Sequence, residues 1–298
     1  MPNPGPASEE IVAALSEFAV FRDYRDGAID GEQYLKGLEA EAEAIEARLG
    51  GKRNLRLLAA RYPADFDRRA ARFFETLADG GFVAERPGEA PYIAFRQQVR
   101  ERFSHGANRT FIHPDEARLA YFISMAVKPR RLVVIGSYYA YWAIWALPGV
   151  QAAGGHATLI DPNPAVCELA RANIDALGFG GIATVRAEKG EAVFPDFADE
   201  SLDFVMLDAA GGGDNPDPNY RGKGIYAFMA EGVYAKIRPG GLLAAHNDYA
   251  LGVGDNALSH PFLEKSAEKL ERFHAFCAER FRKGVVLPTP DGFGVYLK

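Results

Sequence analysis

The chain has little cysteine: Cys167 and Cys277 are the only two in 298 residues. They stand far apart on helix-like segments and neither belongs to a C-x-x-C. A disulfide framework or a zinc cluster is therefore not expected, and a reducing, cytoplasmic setting fits best. No apolar run approaches the ~20 residues that a membrane span needs, so no membrane partner is expected. The opening M-P-N-P-G-P-A-S-E-E lacks the basic and apolar parts of a signal peptide and reads as a short disordered lead. Positive charge is not in surplus either. With 34 Lys+Arg against 40 Asp+Glu, a net charge of -6 and a pI near 5.6, the chain lacks the broad basic footprint of a nucleic-acid binder.

What is present is an ordinary globular composition, 48% hydrophobic and 25% charged, in a chain long enough for a sizeable core. No convincing strand occurs before about Pro129. Ile11, Leu15 and Phe18 repeat at helical spacing. Asp30 followed by Gln33 has the form of a capping box, and Leu35, Leu38, Ala42, Ile45 and Leu49 then mark one helical face. Further helices are expected over 64–78, 93–102 and from His113-Pro114-Asp115-Glu116 to Pro129, the last with proline at its first position and acids near the positive end of its dipole. The reading is an all-helical N-terminal extension over residues 1–109, a lid, a dimer arm or both, before a second domain over 110–298. The apolar stripe from Leu35 to Leu49 suits a homodimer and suits packing on the protein's own α/β domain equally well.

The α/β region begins with R-R-L-V-V-I-G-S-Y-Y-A-Y-W-A-I-W-A-L, from Arg130 to Leu147. Leu132 to Ile135 reads as a strand buried on both faces. Gly136 turns the chain, and Ala143 to Leu147 can form a helix. Strand, glycine turn and helix would present free backbone N–H groups at the sheet's carboxyl edge. The motif is not G-x-G-x-x-G: Tyr138 and Ala140 would obstruct a pyrophosphate, so a mononucleoside fits more easily, as does an ordinary βα turn. Further strands are expected at 157–160, 183–186, 204–207 and 242–245, with helices over 164–177 and 226–237. A last helix over 261–282 leads to a hairpin of 284–287 and 292–297. That alternation predicts an α/β fold with a doubly wound, mostly parallel seven-stranded sheet. Asp161 ends the second strand, where a carboxylate can accept both hydroxyls of a ribose. Ala187-Glu188 ends the third, where an adenine would lie.

Taken in order, these segments resemble the class I S-adenosylmethionine-dependent methyltransferases, with their Rossmann-like fold, and within them the catechol and caffeoyl-CoA O-methyltransferase group. G-S-Y-Y-A-Y-W resembles that group's G-x-Y-x-G-Y-S, and I-D-P-N-P its ribose-binding strand end. D-F-V-M-L-D and R-P-G-G-L-L-A-A-H-N resemble its D-x-V-F-I-D and R-x-G-G-x-L-x-A-D-N. The resemblance covers about Thr110 to the C-terminus. It implies that Gly136, Ser137 and Tyr138 meet the methionine part of S-adenosylmethionine, Asp161 and Pro162 the ribose, and Ala187 and Glu188 the adenine region. It also places Asp208 at the cofactor, and Asp208, His246 and Asn247 on the three positions that hold a divalent metal ion. Such an ion could fix a pair of acceptor oxygens in line with the methyl group.

Four residues depart from the family pattern. Val134 replaces an acid, Ala140 a glycine and His246 an aspartate, and no lysine closely follows Asp208, so the family's catalytic base is absent. Asp-His-Asn is a poor cage for Mg²⁺, and imidazole suits a transition metal better. His246 is thus open to three readings: a metal ligand, a general base in a metal-free site, or a hydrogen-bonded pocket residue. The long connection Gly211–Tyr226 reads as a substrate-gating loop or as plain surface flexibility, with Tyr220, Arg221 and Lys223 able to reach an acceptor. The expected activity is methyl transfer to a small-molecule acceptor, a phenolic or other hydroxyl oxygen, with His246 and Asp208 as catalytic residues. A carbon or nitrogen atom of an amino-acid-like or heteroaromatic acceptor, and a non-catalytic nucleoside-binding protein, are the alternatives.

Overall fold

A computed structural model describes residues 13–26, 28–29, 31–49, 66–84, 86–108, 112–248, 260–289 and 291–298. Its centre is a seven-stranded sheet of β1 (Arg131–Ile135), β2 (His156–Ile160), β3 (Ala183–Arg186), β4 (Leu202–Leu207), β5 (Ile237–His246), β6 (Lys283–Leu287) and β7 (Phe293–Leu297). The strand order is β3-β2-β1-β4-β5-β7-β6. The first five run parallel, and β7 is inserted antiparallel between β5 and β6. This is the expected doubly wound sheet. Its order reverses between β1 and β4, and that crevice above the strands' carboxyl ends is where such sheets hold ligands.

Strand periodicity decides which residue faces which layer. Leu132 and Val134 of β1, with Phe204 and Met206 of β4, join the core beneath the helices Pro114–Val127 and Pro164–Ala176. Val133 and Ile135, with Val205 and Leu207, join the opposite core beneath the helices Ile225–Tyr234 and His260–Arg280. Because both faces are covered, the strands read as continuous apolar runs.

The helical N-terminal region divides in two. The helices Phe66–Asp79 and Glu89–Arg102 contribute Phe74, Leu77, Tyr92, Phe95 and Val99 to the core of the α/β region itself. The helices Ala19–Arg25, Gly31–Ala40 and Ala42–Leu49 close a separate small core of Leu15, Phe21, Tyr24, Tyr34, Leu38 and Ile45. The stripe expected on one helix therefore lies on two, broken at Glu41. Of the expected signals, Ile11, Asp30 and Gly50-Gly51 lie outside the described residues. Among the described residues, no helix is long and apolar enough to cross a membrane.

The segment after Gly136 also differs from expectation. Ala143–Trp145 is a single 3₁₀ turn, and the α-helix begins only at Leu147 and ends at Ala152. Pro148 sits in its first turn. Gly149 lies so close to the helix Pro114–Val127 that a Cβ there would come 2.2 Å from the Ser124 carbonyl oxygen. The backbone N–H groups of the glycine turn are not free either. Those of Gly136 and Ser137 both donate to the Ile160 carbonyl (2.9 and 3.0 Å), and that of Tyr138 donates to Asp161 Oδ2 at 3.0 Å. The turn thus ties the tip of β1 to the tip of β2.

Gly136 is required there. Its φ is +77°, and an added Cβ would lie 2.5 Å from both Cα and N of Ala209, just beyond β4. Gly136→Ala is expected to destabilise the protein by about 2–3 kcal/mol through combined strain and overpacking, measured as a lowered midpoint in urea unfolding.

Candidate functional site

A cavity of 780 Å³ opens over the carboxyl ends of β1, β2, β4 and β5, within the size range of small-molecule and cofactor sites. At its β1–β2 end stand Gly136, Ser137, Tyr138, Asp161 and Pro162. Asp161 Oδ1 accepts from the Asn163 N–H at 2.9 Å while Oδ2 holds Tyr138. Burial pushes its carboxyl above the ordinary range, against those two backbone bonds. Ser137 is buried, and its Oγ has no hydrogen-bond partner among the described residues. A buried polar atom on a cavity wall is what a ligand would satisfy. Tyr138 and Ala140 hold left-handed backbones, φ 48° and 73°. Tyr138 lies on the cavity rim, 39% exposed, and donates its phenolic O–H to Asn108 Oδ1 at 2.8 Å.

The β3 end departs from expectation. Ala187 and Glu188 are not on the cavity wall; Lys189, Gly190 and Glu191 are. Glu188 instead pairs with Arg186 at 2.6 Å, and the same guanidinium holds Asp196 at 2.9 Å.

The β4–β5 end is built of alternating charges. Asp208, at the tip of β4, accepts from Lys223 Nζ at 2.7 Å through Oδ1 and faces His246 Nδ1 at 3.4 Å through Oδ2. His246 Nε2 lies 3.1 Å from Glu116 Oε2. Glu116 is fully buried near the start of the helix Pro114–Val127. Its Oε1 accepts from Thr289 Oγ1 (2.6 Å) and the Asp291 N–H (3.0 Å), both in the β6–β7 connection, and its Oε2 also accepts from the His113 N–H at 3.3 Å. Burial works against the His246 charge, but Asp208 and Glu116 on either side outweigh it and push the imidazole up to about 10. Burial likewise opposes the Asp208 charge, and Lys223 and His246 overcome it, holding the carboxyl well below its usual range.

Lys223 overturns one expectation. No lysine closely follows Asp208 in sequence, yet Lys223, fifteen residues on, folds back onto it. The connection is pinned by an antiparallel bridge between Gly211 and Gly222. Arg221 donates to the Asn215 carbonyl at 2.6 Å inside the loop, and Tyr220 donates to Glu191 across the cavity. Glu116 and Asp291 escaped the sequence reading altogether. The H-P-D-E start was read only as a helix terminus, although the reciprocal bond of its capping box is what carries Glu116 inward.

The expected metal positions do not fit an ion well. Asp208 Oδ1 is taken by an ammonium and Oδ2 faces a charged imidazole, while the Asn247 side-chain N–H₂ is turned to the Asp291 carbonyl at 3.4 Å. Glu116, His246 and Asp291 bring ligand atoms within 4.8 Å of one another. Both Glu116 oxygens, however, are filled by the four donors above, leaving no lone pair for a metal.

Residues 133–247 match the family model described as a methyltransferase domain. No curated protein matches the sequence. Among solved structures, cofactor-bound Rv0187 from MTB aligns with a TM-score of 0.51 at 16% identity, over 75% of this chain and 95% of that one. The SAH-bound methyltransferase PaMTH1 of Podospora anserina aligns with a TM-score of 0.50 at 18% identity, over 78% and 96%. At such identities the likeness is one of fold. The chain thus carries a region that matches a methyltransferase domain within the fold of these solved structures, and it resembles the class I S-adenosylmethionine-dependent methyltransferases.

The raised pKa of His246 sets a direction for stability against pH. Its folded value, about 10, exceeds the ordinary 6.5. The stabilisation is therefore complete below about pH 6.5 and lost as pH rises through about 10. Thermal unfolding of the wild type and His246→Gln across that interval should show the melting-temperature gap narrowing by several degrees; a constant gap would refute the charged-imidazole assignment.

Proposed function

We propose that the protein transfers a methyl group from S-adenosylmethionine to a hydroxyl oxygen of a small-molecule acceptor. The observation that carries this reading is one continuous cavity joining Ser137 and Asp161 to Asp208, Lys223 and His246 across the β1–β4 crevice. The cofactor fits the β1–β2 end: the unpartnered Ser137 Oγ suits its methionine part, and Asp161 suits the ribose hydroxyls. Lys189 to Glu191, rather than Ala187 and Glu188, suit the adenine. When bound, S-adenosylmethionine supplies a sulfonium methyl whose S–C bond breaks, leaving the electron pair on sulfur, as the C–O bond forms and the acceptor proton passes to solvent.

The chain's own residues bind, orient and set charge. Asp208 and its two cations form the floor at the acceptor end, and the Trp142 ring stands 5.3 Å from the His246 ring, giving an acceptor an aromatic wall. The Trp142 indole N–H is buried and has no partner among the described residues, so an acceptor oxygen near it would fill a vacant hydrogen bond. His246 acts here as a fixed cation, because an imidazole already protonated at neutral pH cannot accept another proton. A nitrogen or carbon acceptor rests on the missing lysine base and the altered metal triad, and Lys223 restores a lysine beside Asp208 without restoring that base.

Calorimetric titration with S-adenosylmethionine tests the donor, and mass spectrometry of the product locates the new methyl group. Asp161→Ala is expected to weaken cofactor binding roughly 10–100-fold, the loss of one charge-assisted hydrogen bond worth about 1.5–3 kcal/mol. No binding by the wild type would defeat the proposal, as would a methyl found on nitrogen or carbon.

A further inference from the structure

Building on the methyl-transfer reading, we propose that Lys223 takes the place of a divalent ion at the acceptor end. The reaction then runs without a metal, with Lys223 as a fixed positive charge beside the acceptor oxygen.

Three observations carry this. The first is the commitment of the ammonium. Lys223 Nζ lies 2.7 Å from Asp208 Oδ1, 3.2 Å from the Ala209 carbonyl oxygen and 2.9 Å from Tyr226 Oη. Three donors meet three acceptors, so the amino group is fully engaged by the scaffold. Tyr226 in turn donates its own proton to the His246 carbonyl at 2.5 Å, which fixes the ring over which the ammonium sits, 4.9 Å from its centre. The second is construction. The Gly211–Gly222 bridge brings the loop back, and Gly224 packs where a Cβ would come 2.3 Å from the Asn219 carbonyl oxygen, so the arrival of Lys223 at Asp208 is built into the loop. The third is occupancy. Asp208 meets Lys223 through one oxygen and His246 through the other, and His246 is also held by Glu116. A divalent ion at Asp208 would have to evict Lys223 from all three of its partners.

The groups facing this end are Asp208 from β4, His246 from β5, Tyr226 from the following helix, Glu116 from the helix Pro114–Val127, Asp291 from the hairpin connection and Asp161 from β2. Within that set Lys223 and His246 favour an acceptor that has lost its proton to solvent. Lys223 works through its field and through Asp208, and is a positioning residue.

The test has two arms. In the first, wild type treated with EDTA is assayed for methyl transfer and titrated with Mn²⁺, alongside Asp208→Asn. The expectation is a rate unchanged within twofold after EDTA, and either no Mn²⁺ binding or binding that Asp208→Asn leaves unchanged. A rate that collapses in EDTA and returns with Mg²⁺ or Mn²⁺, or Mn²⁺ binding that Asp208→Asn abolishes, overturns the proposal. In the second arm, Lys223→Met should raise the pH of half-maximal rate by about one unit and lower kcat/KM at neutral pH about tenfold, while Lys223→Arg keeps the wild-type midpoint. A loss of rate with an unmoved midpoint would mark a merely structural lysine and overturn the role. Failure to bind S-adenosylmethionine would defeat the methyl-transfer reading separately, leaving the Mn²⁺ titration to judge the cation position.

Discussion

A half-buried carboxylate on a cavity wall is stabilised by cations, and Asp208 faces two basic groups, Lys223 and His246. The sequence of charges Lys223, Asp208, His246, Glu116 is the interaction that ties this end of the cavity together. Its buried link is His246–Glu116, where taking away one partner leaves an uncompensated charge that costs about 3–5 kcal/mol. The chain also crosses the fold. Glu116 comes from the helix preceding β1, Asp208 and His246 from the tips of β4 and β5, Lys223 from the long loop between them, and Thr289 and Asp291 lock Glu116 from the last hairpin. Segments separated by as many as 175 residues in sequence are thus held together by one chain of charges and hydrogen bonds.

The same arrangement explains why the departures from the family pattern need not disable the site. Replacing an aspartate with His246 removes a negative charge from the set expected to hold an ion and adds a positive one. With Lys223 also present, Asp208 has no charge left to offer a metal. The two changes are consistent with each other, and either alone would leave the site unbalanced.

Much of the fold was legible in the sequence because strands covered on both faces leave continuous apolar runs, and because the residue ending each run lands at the carboxyl edge. Asp161, Asp208 and His246 were found that way. What local pattern could not show was return. Lys223 lies fifteen residues beyond Asp208, at a distance where no periodicity connects them. The only trace is a pair of glycines, Gly211 and Gly222, whose backbones meet in the bridge: a Cβ on Gly211 would fall 1.6 Å from the Tyr220 carbonyl oxygen, and Gly222 holds a φ of +56°. Glu116 was hidden differently. An acid in the first turn of a helix has a sufficient local explanation in the helix dipole, and that explanation masks its partnership with a histidine 130 positions away. The helix expected at Ala143 failed for a tertiary reason, since the close packing at Gly149 and the proline before it allow only a short helix that begins later.

Lys223 stands just before the helix Ile225–Tyr234, three residues from Tyr226, and the Gly211–Gly222 bridge returns the chain to Asp208 there. Lengthening a surface loop costs little, about 0.6 kcal/mol for each doubling, and the bridge and the Arg221–Asn215 contact offset part of that cost. In exchange, the ammonium is fixed by groups belonging to the scaffold rather than by the acceptor. The charge is therefore in place before any acceptor arrives, and no part of the acceptor's binding energy is needed to order it. A metal ion must be recruited and shared between protein and acceptor, whereas a lysine held in this way belongs to the fold.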